Sequence, residues 1–100
     1  MTQTNEFDAH AVATIVPAIR DSIRQVGDDT TVEHDAATHR VVLSRGHRVL
    51  LTITGVGSMG RTVAIARYDV PVDTGRPLAD LTRDWIVHLT RDVLAEDSER

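Results

Sequence analysis

The middle of the chain contains the stretch RVVLSRGHRVLLTIT, residues 40–54, and this stretch decides the fold class. Val, Leu, Ile and Thr dominate on both sides of a short Arg-Gly-His segment, and apolar residues recur at every second position. Such alternation around a glycine turn is typical of two antiparallel strands joined by a hairpin. We therefore predict strands over residues 39–45 and 48–54.

The pairing register of this hairpin determines which side chains reach the core. A three-residue loop, Arg45 to His47, with Gly46 in the left-handed conformation would place Leu43 opposite Val49 and Val41 opposite Leu51. These four residues then share one face of the sheet, together with Ile53, Val63 and Ile65. We expect the helices of the protein to cover that face.

The same pattern extends on both sides of the hairpin. Residues 30–34 and 61–69 are also rich in Val, Ile and Thr, and they are bounded by turn-forming segments at residues 35–38 and 55–60. These signals predict two further strands. The middle of the chain is therefore predicted to be a four-stranded antiparallel meander.

Helical periodicity flanks the predicted sheet. Apolar residues recur at steps of three and four from Asn5 to Gly27, which predicts a helix that Pro17 kinks or splits near Val16. After a loop over residues 71–76, Pro77 is predicted to open a second helix that ends near Ala95.

The predicted fold is thus α+β: a two-layer sandwich with an N-terminal helix, a four-stranded antiparallel meander and a C-terminal helix. One hundred residues form a single domain, 1–100, with fraying expected at residues 1–5 and 96–100. Only 3% of the residues are aromatic, so aliphatic side chains must supply nearly all the burial. Pairing of two copies would enlarge this thin core.

Composition indicates the cellular compartment of the protein and the base composition of its coding sequence. Cysteine is absent, which excludes disulfides and thiolate chemistry and fits a reducing compartment. Neither a secretory leader nor a membrane span is visible, so we expect a cytoplasmic protein. All 11 basic residues are Arg, a bias typical of a small bacterial protein with a GC-rich coding sequence.

Two motifs suggest catalysis or nucleotide binding at first sight. Gly55, Gly57 and Gly60 have the spacing of a dinucleotide fingerprint, but a strand follows them where the fingerprint requires a helix. Ser58 lies beside glycines, but the glycine that a nucleophile elbow requires two residues before the serine is replaced by Val56. We therefore predict a flexible hairpin loop, no catalytic residue and no cofactor.

Five histidines are many for this length, and two of them, His34 and His39, should face each other across the first hairpin. Together with Asp35 they could ligate zinc. A metal site needs a further ligand that the sequence does not place, so no metal site is predicted.

Charge is segregated along the chain. Residues 36–68 contain five Arg and no Asp or Glu, which gives this stretch a formal charge of +5 and leaves −9 for the rest of a chain of net charge −4. Two interpretations are open. The arginines bind an anion or nucleic acid through Arg40, Arg45, Arg48 and Arg61, or sheet and helices neutralise each other internally or across a dimer.

The sheet face opposite the helices is predicted to be unusually apolar, and it is our candidate interaction face: Val42, Leu50, Thr52, Ala64, Ala66 and Tyr68. An exposed apolar face of this kind favours a partner. The leading hypothesis is a non-enzymatic protein-interaction module, such as a small adaptor, a chaperone-like protein or an inhibitor or immunity protein, that self-associates as a homodimer through the sheet. Anion or nucleic-acid binding is the first alternative, and a small-ligand or metal-binding domain is the second.

Overall fold

The computed structural model describes residues 5–99. Two short helices with a π-helical turn between them are followed by a five-stranded sheet and a long helix. The elements are α1 (Glu6–His10), a π-helical turn (Ala11–Ile15), α2 (Val16–Ile23), β1 (Thr30–Asp35), β2 (Arg40–Arg45), β3 (Arg48–Val56), β4 (Thr62–Arg67), β5 (Val70–Pro77) and α3 (Arg83–Ser98), with 3₁₀ turns at Ser58–Gly60 and Leu78–Asp80.

The sheet is an antiparallel meander with the strands in sequence order, β1-β2-β3-β4-β5. The helices pack on one face of it, where Val41, Leu43, Leu51, Ile53 and Val63 are at most 1% exposed. An α+β fold with an N-terminal helix, an antiparallel sheet and a C-terminal helix is thus confirmed. The strand count is corrected from four to five.

A bulge in β3 overturns the predicted hairpin register. The loop between β2 and β3 has two residues, Gly46 and His47, and Arg45 pairs with Arg48 across it. Leu43 pairs with Leu51 and Ser44 with Val49, so Leu50 is an extra residue on β3. Because a bulge reverses the alternation of side chains, adjacent residues Leu50 and Leu51 are both buried. Val49, predicted to lie in the core, is only partly buried.

The fifth strand occupies a segment that we predicted to be a loop, because prolines at 71 and 77 and a glycine at 75 suggest irregular backbone. β5 lies at the edge of the sheet, and its pairing with β4 is interrupted by register shifts. An edge strand tolerates proline because one of its sides needs no backbone N–H for pairing. A two-residue turn, Tyr68-Asp69, joins β4 to β5, and both residues have positive φ angles, 52° and 65°.

The irregularity predicted near Val16 is a π-helical turn that separates α1 from α2. The chain widens into a π-helical turn over Ala11–Ile15 and returns to α-helix at Val16, with Pro17 in the first turn of α2. Widening the preceding turn avoids the clash between the proline ring and the carbonyl four residues earlier. The predicted kink is thus a π-helical turn.

The C-terminal helix begins and ends later than predicted. Pro77 is the last residue of β5, and Thr82 caps α3 by accepting a hydrogen bond from the N–H of Trp85. The helix runs to Ser98, past the predicted end near Ala95, and Asp97 is buried. Residues 96–98 are therefore ordered helix, and residues 1–4 and 100, where fraying was also predicted, lie outside the described residues. No helix within residues 5–99 is long and apolar enough to span a membrane.

Candidate interaction surface

The face of the sheet opposite the helices carries an uncharged patch, which we call the outer patch: Val42, Thr52, Thr54, Ala64 and Ala66. Val42 pairs with Thr52, which in turn pairs with Ala66, so these side chains form a row across the three central strands. Thr54 and Ala64 form the neighbouring pair. All five residues are half-buried. The outer patch therefore presents small aliphatic and hydroxyl groups without a charge.

Two residues of the predicted interaction face do not lie on it. Leu50 is 0% exposed because the bulge turns it toward the core. Tyr68 lies in the turn after β4 and is not part of that strand. Its side chain packs against the core, and its backbone N–H donates to the carbonyl of Leu50. The alternation that we used for the prediction fails at both points, since it assumes regular strands from 48 to 54 and 61 to 69.

Most arginines of the sheet are paired with carboxylates of the helices. Asp97 on α3 has a fully buried side chain and contacts Arg45 at 2.6 Å and Arg48 at 2.9 Å, both on the β2–β3 hairpin. Arg67 on β4 pairs with Glu96, also on α3. These contacts join the basic sheet to the acidic helix. They agree with the interpretation that the segregated charges neutralise each other internally.

The other two residues of the predicted anion site, Arg61 and Arg40, have different neighbours. Arg61 lies 3.6 Å from Glu6 on α1, in a pair that is largely exposed and therefore weak. Arg40 makes none of the ion pairs found within residues 5–99, but it faces Asp35 across the β1–β2 ladder. The pKa of Asp35 is lowered, mainly by hydrogen bonds from Ala37 and Thr38, with a smaller contribution from Arg40. The four arginines thus do not converge on one anion site.

The two histidines of the first hairpin converge on a carboxylate that the sequence did not single out. Asp8 on α1 lies 2.8 Å from Nε2 of His34 through one oxygen and 2.6 Å from Nδ1 of His39 through the other. The His34 ring also packs edge-on against Phe7. Each ring nitrogen can donate a hydrogen to Asp8, so the carboxylate fixes the end of the hairpin to the N-terminal helix.

We expect Asp8→Ala to lower the free energy of unfolding by about 1–3 kcal/mol, because two imidazole donors lose their acceptor and the His34 side chain is only 14% exposed. Asp8→Asn is the matched control. Its amide keeps one oxygen acceptor and can donate to the other ring in its alternative neutral tautomer, so a smaller loss is expected. Urea unfolding at pH 8 compares the variants, and an equal loss for both would contradict this account.

The glycine-rich segment packs against the same helix. A Cβ atom at Gly55 would come within 2.5 Å of Cγ of Phe7, which is completely buried, and a Cβ at Gly60 would also collide with Asn5 and Phe7. Gly57 has a φ of 82°. Gly55 and Gly60 thus allow close packing of backbone and helix, and a strand follows the segment as predicted.

Within residues 5–99, no cluster of three or more His, Asp or Glu side chains has a geometry suited to a metal ion. The carboxylate of Asp8 could not be recognised from sequence because it lies 26 and 31 positions before its two partners.

Comparison of the chain with protein-family models, curated proteins and solved structures gave no match.

Proposed function

We propose that this chain is a non-enzymatic protein-interaction module that self-associates as a homodimer through the outer patch. The observation that carries the proposal is the distribution of charge between the two faces of the sheet. On the helix side, Arg45, Arg48 and Arg67 are paired with acids of α3. On the other side, the outer patch bears no charge, and its side chains are only half-buried although no element of the chain covers them within residues 5–99.

A second copy of the chain is the occupant that this surface suits. The whole protein has a formal charge of −4, so two copies repel each other unless they meet through a neutral surface. Small side chains such as Ala64, Ala66 and Thr52 let two sheets approach face to face at the usual separation of about 10 Å. Glu33, Asp35 and Arg40 lie at the margin of the face, as charged residues do in the polar rim of an interface.

The alternatives have weaker support. Anion binding at the hairpin would require a ligand to displace Asp97 from Arg45 and Arg48, although this carboxylate is already buried between them. A metal at His34 and His39 would have to displace the hydrogen bonds that both rings make to Asp8. A neutral face open to solvent requires no such displacement.

Ala66→Arg is expected to weaken self-association by at least about tenfold, since each copy then places an unpaired charge within the two-fold interface. Ala95→Arg, the same substitution at an exposed position of α3, is the control and should leave association unchanged. Sedimentation velocity from about 1 µM to about 1 mM measures both variants against the unmodified chain. A monomer throughout that range for the unmodified chain would disprove the proposal.

A further inference from the structure

We infer that the free edge of β1, together with the groove beside it, binds an extended segment of a partner protein in which basic and aliphatic residues alternate. The inference concerns a surface separate from the outer patch. It therefore does not depend on self-association of the chain.

The two edges of the sheet differ in their capacity to accept another strand. β5 carries Pro71 and Pro77 and has an irregular register with its neighbour, features that block the addition of a strand. β1 pairs with β2 in an unbroken register and contains no proline or glycine. The carbonyl of Asp29 accepts a hydrogen bond from Gly46 toward β2, so by alternation the backbone groups of Val32 and His34 point away from β2.

An apolar groove of about 460 Å³ runs alongside this edge. It lies between β1 and the N-terminal helices, and its apolar walls are Val12, Val16, Pro17 and Val32. Val12 is 65% exposed, the most exposed large apolar side chain within residues 5–99, and it belongs to the π-helical turn. π-helical turns are rare and are frequent at functional sites. The groove gives a ligand strand a place to bury aliphatic side chains, as in strand addition to a sheet edge.

Alternate side chains of an extended ligand point to opposite faces of the sheet. The charge of the protein on the face away from the groove determines which ligand side chains suit that face. Glu33 and Asp35 are exposed on the face away from the helices, and Asp28 and Asp29 lie just before the strand. Glu33 also lines the groove, and Arg20 lines it on the helix side. Basic ligand side chains therefore fit the Glu33 side and aliphatic ones the Val12 side, which defines an alternating pattern.

The same charges argue against pairing of β1 with β1 of a second copy. In a two-fold antiparallel pair, residues on the same face oppose each other, so the register is centred on a residue. Centring on Val32 places Asp35 opposite Asp29, centring on Glu33 places this residue opposite itself, and centring on Thr31 places Glu33 opposite Asp29. Each of these three registers brings carboxylates together, whereas a basic segment neutralises them.

A synthetic seven-residue peptide of alternating lysine and valine is a suitable probe, titrated into the full chain and followed by NMR. The expected result is saturable binding, with slowed hydrogen exchange at the amides of Val32 and His34. Two control peptides define specificity: one with glutamate in place of lysine, and one with N-methylated backbone nitrogens that cannot pair with a strand. Both should bind at least about tenfold more weakly.

Two variants locate the site on the protein. Val12→Asp should weaken peptide binding by about tenfold or more, because it places a carboxylate against the valine side chains that the bound peptide buries in the groove. Val70→Asp changes a similarly exposed valine, 61% against 65%, on the opposite edge strand and should have no effect. Absence of saturable binding up to about 1 mM, equal binding of the N-methylated peptide, or an equal effect of both variants would overturn the inference.

Discussion

Replacing Asp97 by alanine is expected to lower the free energy of unfolding by about 3–5 kcal/mol, among the largest effects of any single substitution in this protein. Asp97 is the one buried acidic residue within residues 5–99, and it joins α3 to both strands of the β2–β3 hairpin through Arg45 and Arg48. Without it, the Arg45 guanidinium, whose side chain is only 17% exposed, keeps its charge and its hydrogen bond to Thr30 but loses its carboxylate. Thermal and urea unfolding measure the loss, which corresponds to a fall in Tm of about 12 °C or more.

Two controls separate the buried pair from a general effect of charge. Asp92→Ala removes an exposed carboxylate from the same helix and should change stability by less than about 0.5 kcal/mol. The double change Asp97→Leu with Arg45→Met replaces the buried pair by apolar groups and should be milder than Asp97→Ala alone, because no charge is then left buried. If Asp97→Ala were as mild as Asp92→Ala, Asp97 would have no role in holding the hairpin to α3.

The Asp97 variant also discriminates between the two interpretations of the arginine-rich sheet. If the carboxylate serves to neutralise Arg45 and Arg48, phosphate should stabilise Asp97→Ala more than the unmodified chain, since the anion then takes the vacated place between the guanidinium groups. Asp92→Ala corrects for the general effect of the salt. Equal stabilisation of all three proteins would show that no anion occupies that place.

Much of the fold was predictable because local patterns carry it. Alternating apolar residues identified β2 and β3, and steps of three and four residues identified both helical regions. The prediction failed where tertiary structure overrides the local pattern. A bulge at Leu50 is invisible in a run of apolar residues, and β5 is hidden because only its position at the edge makes its prolines acceptable.

The contacts between elements were less predictable than the elements themselves. The charge pattern correctly anticipated a basic sheet facing acidic helices, but it gave no reason to choose Asp97, which lies in a tail predicted to fray. Asp8 was similarly hidden, since its position at the start of a helix is sufficient reason for an acid there. Pairing across 49 to 52 positions, as for Arg48 and Arg45 with Asp97, depends on how α3 crosses the sheet. No local signal encodes that crossing.

The glycine-rich segment shows how a motif with a familiar spacing can serve packing alone, and a graded series of alanine substitutions tests this. Gly55→Ala should lower the free energy of unfolding by about 3 kcal/mol, the upper end of the usual cost of overpacking a core. The new methyl group would meet Cγ and Cβ of Phe7 at 2.5 and 2.6 Å, and Phe7 is fixed on α1 with no exposed surface. Shortening Phe7 cannot relieve the collision, because every residue except glycine carries a Cβ atom at that position.

Alanine substitutions at two other glycines serve as controls. They distinguish the loss of stability caused by lack of space from the loss caused by backbone strain. Gly46→Ala has open space around the new methyl group but keeps a φ of 61°, so it should cost about 1 kcal/mol for the left-handed conformation alone. Gly75→Ala meets neither obstacle and should be neutral, or slightly stabilising through the reduced freedom of the unfolded chain. Urea unfolding of the three variants should therefore rank them Gly55, Gly46, Gly75 in order of decreasing loss. A Gly55→Ala variant as stable as Gly75→Ala would mean that α1 does not pack tightly against the sheet. That result would contradict the packing of Phe7 against Gly55 described above.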